Sequence, residues 1–241
     1  MKIFKYELTD STNTRAKEYA RCEGAEMPAV FIADEQSAGR GRRGRSFDSA
    51  KGAGLYTSVL FRPSDELDDA AKITVRAAVA ASRAISALCG VPVGIKWVND
   101  IYFGKRKLAG ILTEGEISED GGFSYAVCGI GVNLLSREFS EELSDKVTTI
   151  EDISGKRVGR DELCERIVSE FFSDMKYSEV IAEYREKSIV IGKRAEMRRI
   201  SGEHFFATVI DITDSGALLV LRDDGVREEL ISAEVSVILG D

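Results

Sequence analysis

Between Gly39 and Arg45 the chain places four arginines and three glycines in seven consecutive residues, within the run Gln36-Ser-Ala-Gly-Arg-Gly-Arg-Arg-Gly-Arg45. Guanidinium groups hold their charge at any physiological pH, and glycine admits backbone conformations closed to other residues. Such a segment does not belong in a core. It suits a loop that folds down over an anion, its planar forks giving bidentate contacts to phosphate or carboxylate. The run alone leaves a second reading open, an RGG-like segment that adheres to nucleic acid. The rest of the chain is acidic, with 33 Lys and Arg against 41 Asp and Glu and a formal net charge of −8. A general nucleic-acid binder spreads basic charge over a whole face, so here the cations are a local device on a negative body.

Three more segments carry polar or glycine residues that structure alone does not ask for. They are Ser11-Thr12-Asn13, then Lys96-Trp-Val-Asn-Asp100 followed by Lys107-Leu-Ala-Gly-Ile-Leu112, and finally Gly129-Ile-Gly-Val-Asn133. Each also has a plain structural reading: a helix cap, an exposed lysine beside a core aromatic and a turn, or close strand packing at the glycines. Their joint occurrence, in this order, favours a shared site. The single histidine, His204, argues against a Ser-His-Asp mechanism and a His-rich metal centre, and reads as a strand or turn residue. Cys22, Cys89, Cys128 and Cys164 are scattered without a CxxC pair, which excludes a zinc pattern and argues against a disulfide framework. Cys89 and Cys128 lie in apolar runs and read as small core residues. The chain shows no membrane-length apolar run and no signal-peptide pattern, so a cytoplasmic location is expected.

The elements that must position these residues follow from periodicity. Alternation predicts a strand at Lys2–Leu8, and short apolar runs predict strands at Ala29–Ala33, Leu55–Phe61 and Phe123–Leu134. Turns at Asn99-Asp100 and Gly104-Lys105-Arg106 predict an antiparallel meander through Val93–Val98, Ile101–Phe103 and Leu108–Glu116. Asp10 to Asn13 supplies N-cap chemistry for a short helix reaching Tyr19 and Ala20. Asp68–Leu88, Ala-rich and apolar nearly all round, predicts a helix buried on most sides. Asp161–Lys187 predicts one amphipathic helix, with Leu163, Ile167, Phe171 and Met175 at fourfold spacing. Beyond Ile191, short β runs at 195–198, 205–212, 217–221 and 235–239 predict a small all-β module, expected to be a barrel. The expected plan is an α/β domain over 1–190 and a β domain over 191–241.

Together the arginine loop, Lys-Trp-Val-Asn-Asp, Lys-Leu-Ala-Gly-Ile-Leu, Gly-Ile-Gly-Val-Asn and the N-terminal Ser-Thr-Asn resemble biotin–protein ligases. The resemblance spans Thr9 to Asn133, and the terminal β module fits that family's SH3-like domain. It implies an α/β (α+β) fold with a mixed sheet like that of class II aminoacyl-tRNA synthetases. It also implies ATP, with Mg²⁺ accompanying it, as cosubstrate, and biotin and a biotin carboxyl carrier domain as the partners. The implied reaction passes through biotinyl-5′-AMP. A homodimer is consistent with the family, some of whose members pair through sheet edges. Neither nucleic acid nor membrane is an expected partner.

The same resemblance implies roles by position. Lys107 holds the carboxylate of biotin and then the bridging phosphate. Arg40, Arg42 and Arg45 close over the adenylate, with Arg42 retaining it, while Gly39, Gly41 and Gly44 let the loop fold. Ser11, Thr12, Asn13 and Gln36 take the ureido head, and Gly110, Leu112, Gly129 and Gly131 line the slot for ring and tail. Asn133 faces the nucleotide or its metal. Asn99 and Asp100 order the site, Asp100 assisting transfer to lysine. Phe47 stands where the family often carries an adenine-stacking tryptophan, and Val98 where it often carries proline. Because Ser11 lies so near the start, a winged-helix DNA-binding domain is not expected. Rival expectations are a lipoate or octanoate ligase on the same fold, and a biotin-sensing protein without transfer activity.

Overall fold

The computed structural model of the chain describes residues 1–119, 122–231 and 235–239. Its first layer is a seven-stranded mixed sheet. β1 (Lys2–Thr9) leads through α1 (Thr12–Ala20) into β2 (Ala29–Gln36), which pairs parallel to β1. β3 (Gly54–Phe61) follows antiparallel, and α2 (Ala70–Cys89) then crosses the sheet. The expected meander comes next as β4 (Gly94–Lys96), β5 (Asp100–Phe103), β6 (Arg106–Ile117) and β7 (Phe123–Asn133). β7 inserts beside β3, giving the order β1-β2-β3-β7-β6-β5-β4.

Alternation along these strands divides the core. One face carries Phe31, Leu60, Tyr125 and Val127, which pack with Ala16 of α1. The other meets α2, where 13 residues of 20 are buried between the sheet and later helices. Asp69 caps α2 by accepting from the Lys72 N–H, and Gly90 ends it at φ 77, a conformation that glycine adopts without a Cβ penalty.

The short helices α3 (Glu141–Ser144) and α4 (Ile150–Ser154) precede α5 (Arg160–Phe171) and α6 (Tyr177–Glu186). The single helix expected over 161–187 is thus two helices, and Met175 lies between them. A buried residue of α2 explains the break. Arg76, 8% exposed, donates from Nε to the Phe171 carbonyl (2.6 Å) and from Nη1 to that of Met175 (2.8 Å), and its Nη2 bonds the Ser173 carbonyl. These carbonyls face a guanidinium in place of a following helical turn, so the helix stops while its polar groups stay satisfied.

The terminal strands are β8 (Arg194–Arg199), β9 (His204–Ile212), β10 (Leu218–Arg222), β11 (Arg227–Leu230) and β12 (Val235–Leu239). The β11 strand, Arg-Glu-Glu-Leu, lacks the apolar signal of its neighbours and is an addition to the expected set. The sheet order is β11-β10-β9-β8-β12, all antiparallel. Among the described residues its edge strands do not pair, so the expected barrel is an open sheet. Its apolar face, including Val209, Ile212 and Leu218, joins the same core that α2 fills. Arg185 of α6 donates to the Ile212 carbonyl (2.5 Å) and pairs with Asp214 (2.7 Å), and Trp97 Nε1 donates to the Gly216 carbonyl (2.8 Å). No helix among the described residues is long and apolar enough to cross a membrane.

Candidate active site

Strand register sets the floor of the site. Tyr56 of β3 pairs with Gly131 of β7, Gly131 with Gly110 of β6, Gly110 with Asp100 of β5, and Asp100 with Lys96 of β4. One row therefore crosses five strands, with two adjacent glycines at its centre. The row beside it reads Ser58, Gly129, Leu112. Missing side chains at three glycines open a cavity of about 220 Å³ over the sheet. Close approach explains these glycines. A Cβ on Gly129 would enter the Asn13 amide, and one on Gly131 would come within 2.5 Å of the Phe47 ring.

The two ends of the cavity differ in polarity. Six cations line it, Arg40, Arg42, Arg43, Arg45, Lys96 and Lys107, against one lining carboxylate, Asp100. Lys107 Nζ lies 2.6 Å from Asp100 Oδ1, the two side chains 29% and 23% exposed. Arg42 Nη1 donates to Asn99 Oδ1 (3.3 Å), and Asn99 is itself fixed by donating to the Ile111 carbonyl (2.8 Å). Burial pulls the pKa of Arg42 below its ordinary value, and the charge of Arg43 adds to the effect. Lys96 is lowered in the same way, first by burial; Asp100 opposes this, while Lys107 and Arg45 add to it. Its Nζ sits 5.3 Å over the Tyr102 ring. Cations brought together and partly desolvated before any reaction are the arrangement that stabilises developing negative charge.

The other end is neutral. Thr12 N–H and hydroxyl approach Gln36 Oε1 (2.9 and 3.2 Å), and Gln36 Nε2 donates to Ser49 Oγ (2.9 Å). Ser58, fully buried, contacts Thr12 Oγ (2.7 Å) and Asn13 Oδ1 (2.5 Å). Ser11 occupies the N-cap position of α1 but makes no side-chain cap bond; its side chain lines the cavity instead. The run that reads as a cap thus serves the pocket.

The arginine segment itself is a small hairpin. Arg40 bridges Ser46 antiparallel, Gly41 N–H donates to the Arg45 carbonyl (2.7 Å), and Phe47 N–H to that of Gly39 (2.9 Å). Arg43 and Gly44 turn the tip at φ 58 and 71. The hairpin delivers the Phe47 ring onto Gly131 and Gly110.

Comparison with known proteins agrees with this geometry. Residues 6–133 match the biotin/lipoate A/B protein ligase family, and residues 190–237 match the biotin protein ligase C terminal domain. The chain belongs to this family. It is 31% identical over 240 residues to the bifunctional ligase/repressor BirA of Bacillus spizizenii, covering 96% of this chain and 72% of that protein. It is 32% identical over 239 residues to the biotin--[acetyl-CoA-carboxylase] ligase of Paracoccus denitrificans, covering 94% and 97% respectively. The biotin protein ligase of Aquifex aeolicus, solved in complex with biotin and ATP, superposes with a TM-score of 0.82 at 28% identity over 99% of both chains.

Against the family pattern, the cavity gathers nearly all the residues expected from sequence. Ser11, Thr12, Asn13, Gln36, Arg40, Arg42, Arg45, Phe47, Asn99, Asp100, Lys107, Gly110, Leu112, Gly129 and Gly131 all line it. Gly39 does not: a Cβ there would meet the Phe47 carbonyl and Ser49 Oγ, so it serves the closure of the hairpin. Asn133 also lies outside the lining and donates to the Thr148 carbonyl (3.1 Å), tying β7 to the segment before α4. Sequence reasoning did not single out Lys96, which lines the cavity, or Ser58 and Glu114, which stand behind its lining and bond Asn13. Lys96 sits inside the motif but reads equally as an exposed lysine. Ser58 was signalled only by its polarity in the apolar run 55–61, and Glu114 by sharing the alternate face of β6 with Gly110 and Leu112.

Proposed function

We propose that this chain joins biotin's carboxylate to AMP and then passes the biotinyl group to a lysine of a biotin carboxyl carrier domain. In the first step a carboxylate oxygen attacks the α-phosphorus of ATP and pyrophosphate leaves. In the second the lysine amine attacks the acyl carbon, the mixed anhydride breaks, AMP leaves, and the amine gives up a proton. Lys107 holds the carboxylate and then the bridging phosphate; a point charge suits an oxygen whose partner changes during the reaction. Arg40, Arg42 and Arg45 neutralise the phosphates, and Arg42 retains the adenylate. Phe47 offers the ring against which adenine stacks. Asp100 partners Lys107 until the substrate arrives and assists the amine in the transfer.

The single observation that carries this reading is the division of the cavity. A buried neutral end of hydroxyls and amides is joined over a glycine floor to a cationic end. Biotin has a neutral polar head, an apolar ring and tail, and a terminal carboxylate in the matching order. Lipoate and octanoate have no polar head for Ser11, Thr12 and Gln36 to meet.

Mg²⁺ would arrive on the phosphates of the nucleotide. Among the described residues no three His, Cys, Asp or Glu side chains converge as a metal site, and Asp100 is engaged by Lys107.

The test is pyrophosphate release from ATP with biotin, lipoate and octanoate supplied separately and without a carrier. Release with biotin alone is expected. Release with lipoate or octanoate instead overturns the substrate, and tight biotin binding without release favours a sensor.

A further inference from the structure

One charged residue stands behind the neutral end of the cavity, outside its lining. Glu114 of β6 accepts from Asn13 Nδ2 on Oε2 (2.7 Å) and from Lys17 Nζ on Oε1 (2.8 Å), and its Oε2 lies 3.3 Å from Arg40 Nη2. Burial alone would raise its pKa, but the hydrogen bonds from Lys17 and Asn13, with the charges of Lys17 and Arg40, bring it below the ordinary value. The group is a carboxylate, and a carboxylate only accepts.

That fact propagates. Asn13 turns Nδ2 toward Glu114, with the Leu112 carbonyl a second and longer acceptor at 3.3 Å, which leaves Oδ1 facing Ser58. Ser58 has one hydrogen, and the 2.5 Å contact to an atom that can only accept claims it. The Thr12 hydroxyl hydrogen then has two destinations within reach, Gln36 Oε1 at 3.2 Å and Ser58 Oγ at 2.7 Å, and both lie inside the chain of bonds. What Thr12 has left for a ligand is an acceptor lone pair. The same carboxylate holds Arg40, whose guanidinium can only donate.

We propose that Glu114 sets the hydrogen-bond polarity of the head pocket, making it a positioning residue that selects for ligands presenting an N–H donor there, such as a cyclic urea. This rests on the biotin reading above. The Thr12 lone pair meets an N–H of the urea, a group that can only donate. With Gln at position 114, the new amide can donate to Asn13 Oδ1. Only the longer bond to the Leu112 carbonyl (3.3 Å) then orients Asn13, and the direction of every bond as far as Thr12 is held more weakly.

The test measures KM for biotin and for ATP, and kcat, by pyrophosphate release. The proteins compared are the wild type, Glu114→Gln, the double variant Asn13→Asp/Glu114→Gln, and Glu116→Gln as a control two residues along the same strand. Glu114→Gln is expected to raise KM for biotin at least tenfold, with KM for ATP within twofold and kcat within threefold. The double variant moves the accept-only group to position 13, where it again claims the Ser58 hydrogen, and is expected to recover most of the loss. Glu116→Gln is expected to match wild type. An unchanged biotin KM in Glu114→Gln, or a double variant no better than the single one, overturns the proposal. If Glu114→Gln does not fold, the double variant decides: a biotin KM within threefold of wild type supports the proposal and a larger one overturns it. Biotin-dependent release by the wild type in the same assay tests the substrate reading separately.

Discussion

Lys107 and Asp100 face each other at 2.6 Å across the pair of β5 and β6, each less than a third exposed. The bulge between Ile101 and Tyr102 shifts the register there and lets two residues that are not direct cross-strand partners meet. The lysine is thus held at the cationic end of the cavity before any substrate enters. Lys107→Ala is expected to lower the rate of biotin-dependent pyrophosphate release on the order of 10²–10³-fold, the usual cost of removing a preorganised contact to a developing anion. Asp100→Asn keeps the lysine and is expected to lose less in that half-reaction than in transfer to a carrier lysine. Stopped assays of the two half-reactions separate the cases.

Gly129 is the place where the sheet makes room for Asn13. Its backbone is ordinary strand, so alanine brings no conformational strain, only a Cβ inside the Asn13 amide. Gly129→Ala is expected to displace Asn13, break its bonds to Ser58 and Glu114, and weaken biotin binding by roughly tenfold, about 1.4 kcal/mol. ATP binding is expected to be unaffected. Calorimetric titration with each ligand checks both expectations.

Arg76 is remote from this chemistry and belongs to stability. Truncation to alanine would leave the Phe171, Ser173 and Met175 carbonyls short of a donor in a half-buried setting. The expected loss is about 3 kcal/mol or more, from unsatisfied polar groups at 1–3 kcal/mol each. Urea denaturation should show a lowered midpoint with little change in slope.

Glu114 gives stability a pH dependence of known sign. Its folded pKa lies below the ordinary 4.5, so the folded state binds its proton less readily than the unfolded chain does. The contribution is complete above about 4.5 and is lost as pH falls through the lower folded value. Denaturation curves recorded down through this acid range should therefore converge for wild type and Glu114→Gln, and separate above it.

The strands and α2 were legible because their patterns are local: alternation in β1, short apolar runs in β2, β3 and β7, and a nearly continuous apolar surface over 70–89. The α5–α6 break was not, because nothing between Phe171 and Tyr177 competes strongly with the helix. The partner that ends it, Arg76, lies some hundred residues away in sequence. The site was legible as motifs and illegible as a row. Gly110, Gly131 and Asp100 each carry a motif, but only the register brings them side by side between Lys96 and Tyr56. Asn133 shows the converse: it closes a motif, yet its amide is engaged by Thr148.

The chain has one tryptophan, and it is the buried Trp97, which lines the cavity and bonds the turn at Gly216. Its ultraviolet emission therefore comes from a single known address. The ring touches the reaction chamber on one side and the terminal sheet on the other. Filling of the chamber and parting of the sheets should each alter its colour and brightness. The protein carries its own dye, already attached at the most informative place.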